Sequence, residues 1–582
     1  MNATSRHRAL FALALAALLA ASQSSADWAP NGSRIEDPDS LSNQYPHVGP
    51  GSLGGLLLGF GFSSRYCTLV LSHGKIAPGW PVEIRQGFGW ASSPVRDGLA
   101  GVYVAIASPG HVIVRHFLYD GTPDPGWPAG GVEVCSAAGY KFAQAGSDAA
   151  GGVYVVWGDG RNSTSGLPRE IYGTRVLGDG SIAPGWEAEG TLLAAAPESV
   201  TVRLGAPRPD GVGGMFAMTA LAYYAFTPQE RDDYHLVRAG PDGAPPAGWP
   251  PGGWASPDQS LAHQFDYEPD GSGGAYVTWI QPQGGTLGSR LLRLLSSGEA
   301  APGWPAGGVP VVEDTTRLYF SKGLAEDGSG GVFVGAATDT GGSFPPAVTR
   351  IFRFEASGKR AAYWPADGRR LPEPPDPSPY FFTPLMLAAD ALGGVYAVWT
   401  QSPDENGDFA TIAAIRLNPL GDPAAGWPEG GLPVCDTPGR RKDIQVVTDG
   451  SGTTYAVWND HRPSDPEGRF FTYASRIDVL NRTLAVEPIA LPTIPLRAGP
   501  NPFVGTVGLR LTLAEAGSVR LDVVDLGGRI VRRVANEWLA AGAYTRAWDG
   551  RTDAGSEAPT GLYFVRGSIG GRTVGVRLVR IR

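Results

Sequence analysis

Two short loops carry the same pair of opposite charges two residues apart: Asp159 and Arg161 in "VWGDGRN", and Asp460 and Arg462 in "VWNDHRP". A carboxylate and a guanidinium at that spacing either close an ion pair that fixes the turn or offer a polar grip to a ligand. The first use is the commoner one, and an exposed pair of that kind stabilises little. These four residues are the candidate binding residues. Other chemistry is sparse. The eight histidines, at positions 7, 47, 73, 111, 116, 235, 263 and 461, are scattered, and no H-E-x-x-H, C-x-x-C or G-x-S-x-G spacing occurs. "DENGDFATIAAI" from Asp404 opens like a calcium loop, but Phe409 stands where the turn glycine belongs and Ile415 where the closing acid belongs. No catalytic residue, metal ligand or cofactor is assigned.

The elements that position such loops follow from composition and repetition. At 582 residues, with 83 Gly, 51 Pro and 18% charged residues, the chain reads as turn-rich, globular and all-β, in more than one domain or a repeat array. Residues 1–26 hold Arg6 and Arg8, an apolar run from Ala9 to Ala21 and small residues before Asp27, the pattern of a signal peptide. No other segment is apolar for long enough to span a bilayer (about 20 residues are needed). Without those two arginines, 45 basic residues face 56 acidic ones, and the acidic excess lies ahead of residue 498. That balance argues against nucleic acid or an anionic membrane as partner. Three cysteines, Cys67, Cys135 and Cys435, make no disulfide framework in an exported protein of this size and read as buried thiols.

Two marks recur along residues 27–485. One is a Gly pair followed by an apolar strand, as in "AAGGVYVVW", "GSGGAYVTW" and "ALGGVYAVW", with eight instances in all. The other is a tryptophan in a Gly/Pro turn, at Trp80, Trp127, Trp186, Trp249, Trp304, Trp364 and Trp427. Between them lies a third strand, such as "EIYGTRVLGDG". Each unit therefore predicts four short strands, the second covered on both faces. Units of this kind stack radially into a β-propeller. The eighth unit ends after its third strand, and the missing tryptophan turn is found at the other end of the chain as "WAPNGSRI", headed by Trp28. The expectation is eight blades (seven if the short first unit is degenerate), closed by the N-terminal strand. Each tryptophan reads first as packing between blades and second as a sugar-binding rim.

A proline-rich linker, 486–497, precedes residues 498–582, whose alternating "VRLDVVD" and "LYFVRG" predict a small antiparallel sandwich. This segment resembles the immunoglobulin-like domain first associated with flagellar hook-capping (FlgD-like) proteins, and the type A sorting domain of type IX secretion cargo. The matching pieces are Pro500, Asn501, Pro502 and Phe503; Asp525, Gly527, Gly528 and Arg529; Trp548, Asp549 and Gly550; and Gly561 with Tyr563. The resemblance implies an address read by outer-membrane export machinery. The repeat units resemble a repeat of large exported bacterial proteins with no established activity, on "VWGDGRN…EIYGTRV" and "VWNDHRP…FTYASRI".

Two enzyme classes on propellers are disfavoured. The adjacent cysteine pair of many quinoprotein dehydrogenases is absent, and so is the "S-x-D-x-G-x-T-W" box of sialidases. What varies between units is the loop after the second strand. Those loops leave one face, while uniform "DGSGG" and "GWP" turns leave the other. The expected function is a non-enzymatic exported scaffold, secreted or on the outer cell surface, binding an extracellular glycan or protein through that variable face. The alternatives are a polysaccharide hydrolase or lyase with its site at the axis, and a structural surface-layer component.

Overall fold

The structure is a computed structural model. It describes residues 28–35, 47–478 and 496–581, less the stretches 52–54, 60–65, 85–88, 99–100, 198–199, 224–230, 258–264, 284–285, 314–318, 339–347, 373–384, 391, 402–410, 438, 449–452, 464, 466–468, 500–502, 514–516, 526–528, 541 and 570–571. The segment read as a signal peptide, the calcium-like loop up to Ala410, Pro500, Asn501, Pro502, Gly527 and Gly528 lie outside the described residues, as does most of the 486–497 linker. The chain divides into two compact units, Met1–Arg482 and Thr483–Arg582. Both are all-β, with no α-helix among the described residues.

Among the described residues the first unit holds eight antiparallel sheets, six of four strands and two in which the first strand is split in two. The third shows the pattern. Lys141–Ser147, Val153–Asp159, Glu170–Val176 and Thr191–Ala195 pair in chain order. Val153–Asp159 is buried along its whole length, as expected for a strand with a neighbouring sheet on each face. The turn before it explains the Gly pair. Asp148 folds its carboxylate back to accept from the backbone N–H of Gly152 at 2.7 Å. A side chain on Gly152 would start 2.7 Å from that carboxylate and 2.5 Å from the Val176 carbonyl, and Gly151 sits at φ +100°. Gly152 has no room for a β-carbon, and at Gly151 the positive φ strains any other residue.

Neighbouring sheets share apolar clusters. Leu57, Cys67 and Trp80 of the first meet Val102 and Phe117 of the second, and Trp127 with Tyr103 of the second meets Val155 and Trp157 of the third. Tyr154 and Trp186 then meet Met215 and Ala239, and two further clusters run on through the fourth to the eighth sheets. The indole N–H of the turn tryptophan reaches one backbone carbonyl of the following sheet: Trp80 to Tyr119 at 2.7 Å, Trp127 to Gly178 at 3.1 Å, Trp186 to Pro241 at 3.0 Å, Trp304 to Ala356 at 2.9 Å and Trp364 to Pro419 at 3.0 Å.

The eighth sheet takes its fourth strand from the start of the chain. Ser33–Ile35 pairs antiparallel with Phe471–Arg476, with Ser33 opposite Ala474 and Ile35 opposite Thr472. Trp28 donates to the carbonyl of Ser72 in the first sheet at 2.9 Å, the bond that those five tryptophans make to their next neighbour. Ile35, Tyr455 and Val457 pack with Leu56, Leu58 and Val70 of the first sheet. The turn is equivalent in detail to its counterpart in the third sheet. A β-carbon on Gly32 (φ +86°) would lie 2.4 Å from the Trp458 ring, and one on Gly190 (φ +91°) would lie 2.3 Å from the Trp157 ring.

The second unit forms a three-stranded and a four-stranded sheet around Phe503, Val507, Leu521, Trp548, Tyr563 and Leu578. Its first strand, Leu496–Gly499, starts two residues ahead of the boundary read from the sequence.

Removing the N-terminal strand strips the eighth sheet of its outer edge and uncovers Trp458. A chain starting at residue 36 is expected to melt at lower temperature, with a synthetic Asp27–Ile35 peptide raising the melting point again. Within the full chain, Ile35→Ala is expected to cost about 2–4 kcal/mol in denaturant unfolding, as for other buried aliphatics truncated to alanine.

Candidate functional site

The Asp/Arg pairs singled out in the loops turn inward. Asp159 ends the second strand of the third sheet and its side chain is fully buried. One oxygen accepts from Lys141 Nζ at 2.9 Å and from the Arg161 backbone N–H at 2.8 Å; the other accepts from the Trp157 indole at 3.0 Å and from Arg161 Nε at 2.9 Å. Lys141 is itself fully buried. Arg161 lies over the Tyr172 ring at 4.0 Å and donates to the Glu189 carbonyl at 3.0 Å. Burial alone would raise the Asp159 carboxyl, but the bonds from Arg161 and Lys141 outweigh it and hold the group below its ordinary range.

The eighth sheet repeats the arrangement with different residues. Asp460 accepts from Arg462 Nε at 2.9 Å and the Trp458 indole at 3.2 Å, with Arg441 in the place of Lys141 at 3.3 Å. Arg462 lies over Tyr473 at 3.7 Å and donates to the carbonyl of Asn31 at 2.6 Å. Asn31 occupies the place of Glu189: its side chain accepts from the Asp436 N–H at 2.8 Å, as Glu189 accepts from Ser136 N–H at 2.7 Å. These four residues therefore fasten the loop after the second strand to the fourth-strand turn. The carboxylates meet protein, and a ligand would meet at most the edge of each guanidinium.

A second set of ion pairs, between residues 23 to 28 apart in sequence, runs through the turn aspartates. Asp148, Asp210, Asp270, Asp327 and Asp390 each cap their turn with one oxygen. The other receives Arg175, Arg238, Arg293, Arg353 and Arg416 from the third strand, at 2.7–2.9 Å. The second sheet substitutes His116, whose two ring nitrogens lie 3.1 Å from Asp97 and 2.9 Å from Asp124 and whose ring stacks on Tyr103. Nothing in any single stretch announces these pairs; they form because strand register sets position 154 opposite 175. Cys67, Cys135 and Cys435 are buried free thiols.

A further titratable cluster joins the fourth and fifth sheets. Arg208, from the fourth sheet, pairs with Glu268 of the fifth at 2.5 Å and donates to the Tyr267 carbonyl at 2.8 Å. Burial pushes the Glu268 carboxyl up to about 7, against the pull of Arg208 and with Asp266 and Glu326 adding to the push. Sequence inspection did not single out "FDYEP", because the crowding comes from three different sheets. Among the described residues no group of three or more His, Cys, Asp or Glu side chains is placed to hold a metal ion, and no helix is long and apolar enough to cross a membrane.

In the second unit the motif residues build the domain. Trp548 packs against Phe503 at 5.5 Å and Tyr563 at 5.0 Å between ring centroids, and donates to the Arg551 carbonyl at 2.8 Å. Asp525 accepts from the Arg529 N–H at 2.9 Å, and Asp549 accepts from the Arg551 N–H at 3.0 Å. Gly550 lies at φ +73°, with Arg580 and the Gly505 carbonyl too close to admit a side chain, and Gly561 opens the strand that carries Tyr563.

Residues 503–567 match the FlgD Ig-like domain family. No curated protein matches the chain. Among solved structures, the chain is similar to a fungal alcohol oxidase of the AA5 family in complex with copper (10% identity, 95% of this chain and 100% of that one, TM-score 0.33). It is also similar to a protein of unknown function from Dyadobacter fermentans (13%, 77% and 99%, 0.29). A third is PorZ, a surface component of the type IX secretion system of Porphyromonas gingivalis (11%, 93% and 82%, 0.16). Similarities this low carry no activity over to this chain.

Two outcomes are expected. Asp159→Asn leaves Lys141 buried without its counter-charge, so it should cost about 3–5 kcal/mol in denaturant unfolding. Glu268 binds its proton more tightly folded than unfolded, so its contribution to stability falls as pH rises from about 4.5 to about 7. Glu268→Gln should therefore gain stability relative to the parent between pH 5 and pH 8, read from paired melting curves.

Proposed function

We propose that residues 27–485 form an eight-bladed β-propeller closed by the N-terminal strand, exported and delivered to the outer cell surface or beyond, with residues 498–582 as the sorting domain. The propeller is a non-enzymatic scaffold that takes an extracellular glycan or protein on the face bearing the loops between second and third strands. The observation that carries this reading is the use made of the opposite face. There the aspartate turns and tryptophan turns are tied to one another and to the next sheet, so sequence freedom is left to the second-to-third-strand loops. The FlgD-like match supports the sorting role by resemblance. Asp159, Arg161, Asp460 and Arg462 then serve recognition indirectly, by setting where two of those loops begin.

A second reading, a polysaccharide hydrolase or lyase, draws on Asp266 and Glu268. They lie two apart on one strand and so share a face, and one of them titrates near neutrality, as a general acid must.

The full chain applied to glycan and protein arrays should give signals that vanish when the loop segments 162–167 and 463–468, which leave the buried Asp/Arg pairs in place, are replaced by short Gly/Ser turns. Signals that survive the replacement contradict the scaffold reading. Release of reducing sugar that Glu268→Gln abolishes would establish the second. A reporter carrying residues 486–582 should reach the medium or cell surface of a host with type IX export, and Trp548→Ala should prevent it.

A further inference from the structure

The repeat supplies its own reference for what each position holds by default, and two departures from it meet at one place. In six units the residue before the turn tryptophan is glycine: 79, 126, 185, 248, 303 and 426. In the sixth it is Tyr363, which is 81% exposed. The residue after the carbonyl that accepts the indole N–H is polar in the other units with that bond: His73, Asp120, Asp179, Asp242 and Ser357. After Pro419 it is Leu420, which is 51% exposed. Both line a single open cavity of about 460 Å³ between the sixth and seventh sheets. The fold gains nothing from either side chain, since six units make the turn with glycine and five make the neighbouring position polar.

The rest of the lining mixes apolar groups, among them Ala356, Ala361, Trp364 and Pro419, with polar ones. Ser329 donates to Asp327 at 2.7 Å and lies 3.4 Å from Arg353 Nη2, while Ser357 and Glu355 add a hydroxyl and a carboxylate. Arg353 is spent on Asp327 and the Pro419 carbonyl, so no unpaired cation invites an anion. One aromatic plane and one aliphatic side chain beside a carboxylate and two hydroxyls match a molecule with an apolar C–H face and a ring of hydroxyl groups. The volume suits a small ligand, and the carboxylate and hydroxyls set among the apolar groups suit a sugar better than an acyl chain, which would leave them unpaired. We infer that the cleft between Tyr363 and Leu420 binds a pyranose sugar unit, stacked on the tyrosine with its hydroxyls on Glu355, Ser329 and Ser357. The site lies on the turn-bearing face, away from the variable loops, and is independent of them.

Saturation-transfer NMR with the full chain tests this, using glucose, galactose, mannose, N-acetylglucosamine and their β-linked disaccharides. At least one sugar should bind, with its ring protons receiving the transfer. Tyr363→Gly and Leu420→Asp, each restoring the residue type of the other units, should each weaken it about tenfold, the loss of about 1.4 kcal/mol, with melting temperature unchanged. No transfer to any sugar overturns the proposal. So does binding that both variants keep, and so does Tyr363-dependent association with phosphatidylcholine vesicles in place of sugar. Replacing the 162–167 and 463–468 loop segments should leave this binding intact.

Discussion

An indole N–H that crosses from one sheet to a single carbonyl of the next is the contact on which the first unit depends. A buried tryptophan contributes its large apolar face to the packing between sheets, and its one polar atom must find an acceptor. The Gly/Pro turn delivers the ring beneath the next sheet's third-strand turn, where a carbonyl left over from that turn is available. Trp249 shows the constraint from the other side. Its indole has no partner, and Arg238 instead reaches the carbonyl of Ser296 in the following sheet. Tyrosine hydroxyls of the second strand add a parallel set of crossings, from Tyr103 to Gly151 and from Tyr154 to Gly213.

The same contact gives the N-terminal segment its meaning. Trp28, Asn31, Gly32 and Ile35 do for the eighth sheet what Trp186, Glu189 and Gly190, with the strand after them, do for the third. A repeat array left open would expose one sheet face and one strand edge at each end. In the proposed ring the strand from the start of the chain would cover both, and the stability of the whole would depend on nine residues far from the rest in sequence.

Much of this was legible because glycine and tryptophan are chemically singular. A Gly pair after an aspartate marks a turn with no room for a side chain, and a tryptophan between Gly and Pro marks a packed corner; counting them predicts eight units. The roles of charged residues were not legible. Asp159 and Arg161 looked like a loop pair because nothing local shows that Lys141 is buried beneath them. The pairs from Asp148–Arg175 to Asp390–Arg416 depend on register across a hairpin, and the shifted Glu268 depends on three sheets converging. Tyr363 and Leu420 could have been found by aligning the units, since each breaks a position that the other units keep small or polar.

The proposed ring stands or falls on where the first strand lies. Cysteines placed at Ser33 and Ala474, in a chain whose three native thiols are replaced by alanine or serine, sit opposite each other in the pairing seen here. Mild oxidation is predicted to join them within one molecule, with the melting temperature raised or unchanged and no dimer formed. Failure to cross-link, or a cross-link found only between two chains, would contradict a ring closed by its own N-terminus.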